Sequence, residues 1–516
     1  MPSKRVLLSI SALNSITLYL YFFSDTDHFR HKSPTNNHFH LDRNHSCSSP
    51  SQKKPWPVLP SYTPWSQKPN LTLGSCEGYF GNGFTRRIEL LRPPTELRRN
   101  YCDGGSFAGG GWFRCFHSET LRSSICEGGQ VRMRPDKITM SKGGEKLETV
   151  MGRGEDEEMP VFQGGAFDVG VTDKSKAGKK LVEDDEFINR YLPQGSKLID
   201  SILLASEDDF QCTEWIEEPT LLVTRYEYAN LFHTFTDWYS AYVTSRVTCL
   251  TIRPHVVFVD GHCETQLEEV WKALFASVRY AKHFKGPVCF RHAILSPLGY
   301  ETALFKGLSE NINCRGTTAH DLLQNPKDEE KTSWLDEFGE MIKAAFGFPP
   351  LNDSPRPEVS GIRHHSILFV RREDYLAHPR HSGKPESRLS NEQQVFDAIR
   401  NWAASLLSSS NSFKCKLSVV NGLFGHMSVK EQVEAIQDAS VIVGAHGAGM
   451  THAISAVPGT IILEIISSAH RRPHFALIAK WKGLEYQPII LDGSHADPRV
   501  VIDKLDSILK SSGLGC

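Results

Sequence analysis

Three polar side chains recur at helical spacing in the segment that begins at Asn230. Asn230, His233 and Asp237 are three and four residues apart, so on a helix they form one polar ridge. The other side of that helix would carry an apolar stripe of Leu231, Phe235, Trp238 and Tyr242. An imidazole or a carboxylate in this setting can abstract a proton from a hydroxyl group. The spacing predicts Asp237 or His233 as a general base and does not separate the two; a solvated helix face is the alternative.

A glycine-rich turn follows a predicted strand near residue 444. Gly444, Gly447 and Gly449 lie where VIVG runs into AHGAGMTHA, a pattern typical of a strand-to-helix turn. Small residues let backbone amides approach an anion, and a helix N-terminus adds partial positive charge. The glycine order differs from the dinucleotide-binding G-x-G-x-x-G, and the P-loop pattern is absent. The turn therefore predicts diphosphate binding, with simple strand–helix packing as the alternative.

Charged residues stand at or near the ends of other predicted strands. Glu464 interrupts the apolar run GTIILEII, where it would bond a sugar hydroxyl or pair with a basic residue. Arg371 and Arg372 follow the strand SILFV, and two arginines at such an end suit a pyrophosphate. Arg388 precedes a predicted helix cap at Asn391 and could serve the same ligand.

These residues require a scaffold that brings strand ends together. From Pro219 onward the chain alternates strand and helix patterns, and the alternation restarts after a polar, proline-rich break at 349–360. This order predicts an α/β fold of mostly parallel sheets with helices on both faces. We expect two units, 76–350 and 351–516, with a cleft between them. Ligands of such sheets bind at the carboxyl ends of the strands.

The stretch from 76 to about 215 is glycine-rich and irregular, and we expect loops and short strands there. The cysteine content suits an oxidising compartment, and no C-x-x-C pair suggests zinc or redox chemistry. One or two disulfides are expected among Cys76, Cys102, Cys115 and Cys126, with open connectivity. Cys249 and Cys289 are expected to be plain buried thiols.

The N-terminus predicts membrane attachment. Lys4 and Arg5 close a short tail (1–5), and 18 residues without a charge follow (6–23). That length just crosses a bilayer, and the flanking positive charges predict a cytosolic tail with the remainder in the lumen. A cleaved signal peptide is the alternative. Residues 24–75 read as a flexible luminal stem. Sequons that glycosylation could use in the lumen begin at Asn44, Asn70 and Asn352.

Charge composition excludes some function classes. Lys plus Arg number 58 against 60 for Asp plus Glu, so no global electrostatic field favours binding to nucleic acid.

The Asp-x-Asp pattern that often holds a manganese–nucleotide complex occurs only at 25–27, beside the predicted membrane segment. We therefore expect chemistry without a metal or other cofactor.

Several of these motifs together resemble glycosyltransferase family 61. They are NLFHTFTDWYSAYVT, FVRR followed by RLSNEQ, and VIVGAHGAGMTHA before GTIILEII. The block GNGFTRRIELLRPP and the Cys- and Gly-rich block beginning CDGGSFAGGG resemble the plant members that modify N-glycan cores. The resemblance extends over essentially all of 76–516.

This resemblance implies a Golgi membrane enzyme, single-pass type II, with two facing Rossmann-like domains in a GT-B-like arrangement. It implies inverting transfer of xylose from UDP-xylose to the 2-hydroxyl of the core β-mannose of N-glycans on glycoproteins. Asp237 and His233 would be catalytic and Asn230 would lie on the acceptor side. The donor would be bound by Arg371, Arg372, Arg388, His446, Gly447, Gly449 and Glu464. The alternatives are a family member acting on xylan or O-glycans, and a non-catalytic, membrane-tethered glycan-binding protein.

Overall fold

The computed structural model describes residues 79–81, 83–92, 110–192, 196–250, 252–308, 333–348, 363–372, 388–409, 415–470 and 472–511. The predicted membrane segment, the stem, the break at 349–360 and all three sequons lie outside these residues. Among the helices in the described ranges, none combines the length and apolarity needed to span a bilayer.

Strands and helices alternate through most of the described chain. The strands are β1 (Arg86–Leu91), β2 (Trp112–Ser118), β3 (Ser123–Met133), β4 (Ile138–Thr139), β5 (Val161–Phe162), β6 (Phe167–Val171), β7 (Ile202–Ser206), β8 (Glu214–Ile216), β9 (Thr220–Val223), β10 (His255–Phe258), β11 (Val278–Tyr280), β12 (Val288–Leu295), β13 (Arg363–Arg371), β14 (Cys415–Leu423), β15 (Val441–Ala445), β16 (Ile461–Ser467) and β17 (Glu485–Leu491). The α-helices are α1 (Glu155–Glu158), α2 (Asp185–Tyr191), α3 (Ser196–Asp200), α4 (Leu231–Val247), α5 (Glu268–Leu274), α6 (Ala303–Leu308), α7 (Leu335–Ala345), α8 (Glu392–Ser409), α9 (Val429–Asp438), α10 (His474–Lys482) and α11 (Pro498–Ser511).

The first large sheet is mixed. Its main path runs β1-β2-β3-β12-β9-β10-β11, with β6 and β7 joined through β3, and β8 joined to β12. The strands β9, β10 and β11 are parallel, as expected, but β1, β2 and β3 form antiparallel pairs. The prediction of loops and short strands before residue 215 is therefore wrong for this part. Sequence patterning did not reveal these strands. In β2, for example, both faces are buried, so polar and apolar residues do not alternate.

Two disulfides brace the first sheet. Cys115 and Cys126 are bonded across β2 and β3, which confirms one predicted bridge. Cys212 is bonded to Cys289 of β12, so the expectation of a plain thiol at Cys289 is wrong. The partners are 77 residues apart in sequence, and only the fold brings them together.

The second sheet has five parallel strands in the order β14-β13-β15-β16-β17. Ile367 and Phe369 of β13 pack with α8 and α11, whereas Leu368 and Val370 face the opposite core. Because alternate residues of a strand point to opposite faces, helices cover both sides of this sheet. The α/β prediction is confirmed.

Helix α4 lies in a continuous core that also contains residues of the second sheet. Phe235 and Trp238 of α4 belong to the same apolar cluster as Met450 and Ile454, which follow β15. Nearly every side chain of α4 is buried, including Asp237 at 2% exposure. A solvated polar face on this helix is therefore contradicted. The helix connects the loops of the first sheet to the strand ends of the second.

Candidate active site

The start of α4 is fixed by Asn230. Its Oδ1 accepts a hydrogen bond from the Phe232 amide at 3.0 Å, which caps the helix. Its Nδ2 donates to Glu227 Oε2 at 3.2 Å. The same Glu227 oxygen lies 3.6 Å from His233 Nε2. Asn230 therefore sets both the helix start and the carboxylate beside His233.

His233 lies in an aromatic surround near the surface. Its ring is nearly parallel to that of Phe305, with centroids 6.0 Å apart, and its side chain is 13% exposed. Tyr226 and Tyr300 meet it edge-on, at 5.7 and 5.9 Å between centroids. A ring held in this way keeps one orientation while part of it stays accessible.

Asp237 lies one helical turn further along and is more deeply buried. Burial raises the pKa of its carboxyl well above the ordinary value, and the charge of Asp260 acts in the same direction. Backbone hydrogen bonds from Tyr226 and Gly299, with the charge of Arg225, oppose that rise in pKa. The Oδ2 atom has no hydrogen-bond partner within the described residues. Through its bonds to Tyr226 and Gly299, Asp237 connects the loop after β9 to the loop after β12.

A buried ion pair supports the loop after β9. Arg225 Nη2 donates to Asp260 Oδ1 at 2.8 Å, and the Arg225 amide donates to Oδ2 at 2.8 Å. Arg225 Nη1 also reaches Glu268 at 3.1 Å. Burial alone would raise the pKa of Asp260, but the charges of Arg225 and His262 hold it below the ordinary value. Sequence reasoning missed this network, because its members are up to 43 residues apart.

In the second sheet, Glu464 orients His446. Gly444 of β15 is the register partner of Glu464 on β16, and the Glu464 side chain is fully buried. One carboxylate oxygen contacts His446 Nδ1, and the other accepts the Tyr486 hydroxyl at 2.5 Å. Both oxygens thus have protein partners, as the alternative of a structural pair describes. The His446 ring, 13% exposed, keeps Nε2 for a ligand.

The glycine-rich turn receives Arg372. A 3-10 helix, Ala448–Ser455, follows Gly447 where the pattern predicts a helix. A Cβ atom at Gly447 would lie 2.8 Å from Arg372 Nη1, so the absent side chain makes room for the guanidinium. A Cβ at Gly449 would lie equally close, 2.8 Å, to Val370 Cγ1. The structure therefore brings Arg372 and the turn together, while Gly449 serves close packing.

Arg371 points the other way, onto α8. Its Nη2 donates to Gln393 Oε1 at 2.7 Å, its Nε lies 3.7 Å from Glu392, and its side chain is 2% exposed. Consecutive strand residues face opposite sides of a sheet, which separates Arg371 from Arg372. Arg388 is half-buried just before Leu389, near the start of α8. The side chain of Arg371 therefore packs on α8, although the Arg372 amide also donates to Glu392 of α8, at 3.2 Å.

His474 was not identified from the sequence. It is the first residue of α10, and its ring stacks on Phe232 of α4, with centroids 5.1 Å apart. It also lies 6.2 Å from the His446 ring. Burial lowers the pKa of His474 to about 4, and the charges of His446, Arg472 and His233 contribute. The only sequence signal is its place after Pro473 at a helix start. His474 joins the His233 and His446 sides into one site.

Chemically, the site offers acid–base groups beside anion-binding groups. His233 with Glu227 can accept a proton, and Arg372 with the Gly447 turn can hold an anion. In the described part of the chain, no three His, Cys, Asp or Glu side chains are grouped to bind a metal ion.

Comparison with known proteins identifies the family of the chain. A family model described as "Glycosyltransferase 61" matches residues 185–463. The chain belongs to glycosyltransferase family 61. The matched region includes α4, the Arg372 strand end and the glycine-rich turn. The motif resemblance is thereby confirmed.

Two plant relatives of this family 61 chain are similar over most of its length. It is 54% identical to the "Beta-1,2-xylosyltransferase" of Arabidopsis thaliana, covering 99% of this chain and 98% of that protein. It is 56% identical to "Beta-1,2-xylosyltransferase RCN11" of Oryza sativa subsp. japonica, covering 91% and 84%. A Gallus gallus "EGF domain-specific O-linked N-acetylglucosamine transferase" is 22% identical over 54% of this chain and 45% of that protein.

Among solved structures, E. coli ADP-heptose lps heptosyltransferase II matches 57% of this chain and 98% of its own. The TM-score is 0.26 and the sequence identity 8%, too low to bear on the fold.

Proposed function

We propose that this family 61 chain is an inverting β-1,2-xylosyltransferase. It transfers xylose from UDP-xylose to the 2-hydroxyl of the core β-mannose of N-glycans. The observation that carries the proposal is 54% identity to the Arabidopsis β-1,2-xylosyltransferase over 99% of the chain. The convergence of His233, His446 and Arg372 on one region provides groups suited to this reaction.

The donor half lies at the carboxyl ends of β13, β15 and β16. Arg372 and the backbone amides beyond Gly447 hold the diphosphate of UDP and stabilise its charge as it departs. His446, whose Nδ1–H donates to Glu464, accepts a hydrogen bond from a hydroxyl of UDP-xylose at Nε2. Arg371 and Arg388 position the start of α8 and act on the donor indirectly. The GT-B-like, two-domain arrangement belongs to the same proposal.

The acceptor half lies at the start of α4. We assign proton abstraction to His233, because its side chain is 13% exposed and Glu227 can stabilise the imidazolium that forms. Asp237, at 2% exposure, acts as a positioning residue. A single displacement inverts the anomeric centre, since the acceptor oxygen attacks opposite the departing UDP.

Two further expectations complete the proposal. The reaction proceeds without a metal ion, because arginine and backbone amides meet the charge of the leaving group. The chain is anchored in the Golgi membrane by residues 6–23, with the catalytic part in the lumen; the 18-residue uncharged run supports this.

The test is a transfer assay with the full chain in detergent. UDP-xylose is offered with an N-glycan core acceptor or with xylan, and UDP-N-acetylglucosamine serves as an alternative donor. We expect xylose on the N-glycan, with a β-1,2 linkage by NMR, and unchanged activity in EDTA. Transfer only to xylan would instead support the other family 61 activity. Glycan binding without UDP release would identify a binding protein.

A further inference from the structure

An aromatic group is exposed beside His233. Tyr300 is 42% exposed although its ring contacts three other aromatic rings. Its ring centroid lies 5.0 Å from Tyr226, 4.7 Å from Phe305 and 5.9 Å from His233. The rings of Tyr226 and Tyr300 are tilted by 57° to one another. The rings are packed against one another while one of them remains open to a ligand.

The two tyrosines lie on separate loops that pack against each other. Tyr226 follows β9 and Tyr300 follows β12, and backbone groups of Tyr226 and Gly299 both bond Asp237. Gly299 has φ +52°, and a Cβ there would lie 3.1 Å from Tyr226 Cγ. The ring of Tyr226 thus packs directly on the backbone that carries Tyr300. The buried carboxyl group of Asp237 and the positive φ of Gly299 hold Tyr226 and Tyr300 in place before a ligand binds.

A cavity of about 230 Å³ borders the same loop. Its lining includes Thr224, Pro297, Leu298 and Glu301. Glu301 pairs with Lys306 through Oε1 at 3.1 Å, and its Oε2 has no hydrogen-bond partner within the described residues. Apolar walls with a few oriented polar atoms are typical of a small-molecule or sugar site. The cavity adjoins both ends of the segment that carries Tyr300, at Leu298 and Glu301.

We propose that Tyr226 and Tyr300 form a stacking platform for a pyranose ring of the acceptor glycan. The apolar C–H face of a sugar ring matches an aromatic face, and its hydroxyls remain at the edge for hydrogen bonding. A sugar on Tyr300 has a hydroxyl beside His233, and the adjoining residues of the glycan extend toward Glu301. This inference rests on the proposed function, because it assigns the acceptor half of that reaction.

The test separates ring loss from loss of bulk. Tyr300→Leu keeps an apolar side chain and removes the ring, whereas Tyr300→Phe keeps the ring. We expect Tyr300→Leu to raise the KM for the glycan acceptor about tenfold, with the UDP dissociation constant unchanged. Tyr300→Phe should remain near wild type. Trp215→Leu is the matched control, because Trp215 pairs with Cys289 at the other end of β12.

Direct binding keeps the two proposals distinguishable. Calorimetric titration of the N-glycan acceptor into the UDP-saturated full chain reports acceptor affinity without turnover. If the wild type binds the glycan and transfers no xylose, the proposed function fails, and the Tyr300→Leu titration still tests the platform. Equal acceptor affinity in wild type and Tyr300→Leu, with equal melting temperatures, would overturn the platform.

Discussion

His474, the first residue of α10, stacks its imidazole on the ring of Phe232 in α4, with planes 7° apart. The contact joins the helix between β16 and β17 of the second sheet to the helix that carries His233 and Asp237. Because the pKa of His474 is lowered to about 4, the ring is neutral at pH 7 and packs as an aromatic group.

The stack should stabilise the protein through packing. His474→Ala should lower the free energy of unfolding by about 2 kcal/mol and reduce xylose transfer, since it removes a largely buried ring at the junction. His474→Phe keeps an aromatic ring, so its stability and its xylose transfer should both stay near wild type, as measured by melting temperature and transfer rate. A well-folded His474→Phe variant without activity would instead assign the imidazole a direct role in the reaction.

The two arginines at the end of β13 should have different phenotypes. Arg372→Ala should weaken UDP binding about tenfold or more with little change in melting temperature, because its guanidinium lies at the Gly447 turn. Arg371→Ala should lower the melting temperature, because it leaves Glu392 and Gln393 without their buried partner. Calorimetric UDP titration and thermal unfolding measure the two effects. Exchanged phenotypes would contradict the assignment.

The pair of His446 and Glu464 should act as one unit on the donor side. Glu464→Gln keeps the shape of the side chain but removes the charge that holds His446 Nδ1. We expect lower UDP-xylose turnover in this variant, and no further loss when His446→Ala is added, since residues acting as a unit are non-additive. Tyr486→Phe, which removes the other hydrogen bond to Glu464, is the milder control. Additive losses would show that the two residues act separately.

The identity of the base is open to a direct comparison. His233→Ala should reduce turnover about 100-fold or more while UDP affinity stays near wild type, the usual effect of losing a general base. Asp237→Asn should mainly raise the acceptor KM and lower the melting temperature, because it weakens the bonds to Tyr226 and Gly299. Single-turnover transfer with both variants decides between them. A severe loss of turnover in folded Asp237→Asn, with His233→Ala active, would make Asp237 the base.

Stability should fall on mild acidification because of a buried histidine. His452 is fully buried, with Nε2 2.6 Å from Gln432 Oε1, and burial lowers its pKa to about 3. The unfolded chain binds a proton near pH 6.5 and the folded chain does not, so stability is complete above pH 6.5 and is lost progressively toward pH 3.

This single group should cost about 2 kcal/mol of unfolding free energy between pH 7 and pH 5. Thermal unfolding at both pH values checks the effect, with His452→Gln as the control that keeps a donor for Gln432. The variant should lose less stability than the wild type over this range. An equal loss in both proteins would remove His452 as the cause.

The sequence by itself determined the elements that follow local rules. The spacing from Leu231 to Tyr242 predicted α4, and the apolar runs around residues 441 and 461 predicted β15 and β16. Periodicity and capping depend on residues a few positions apart, so they can be recognised in the sequence without knowledge of the fold. The family could be identified from motifs of the same kind.

The tertiary structure alone decided which of the predicted residues share a surface. Arg371 and Arg372 are adjacent in sequence, yet strand alternation directs one to α8 and the other to the Gly447 turn. By its spacing Asp237 belongs to a polar ridge, but the packing around α4 buries it beneath two loops. His474 joins the site only because α10 packs against Phe232, far away in sequence. Such contacts form when elements that are distant in sequence pack together, so a local sequence pattern does not predict them.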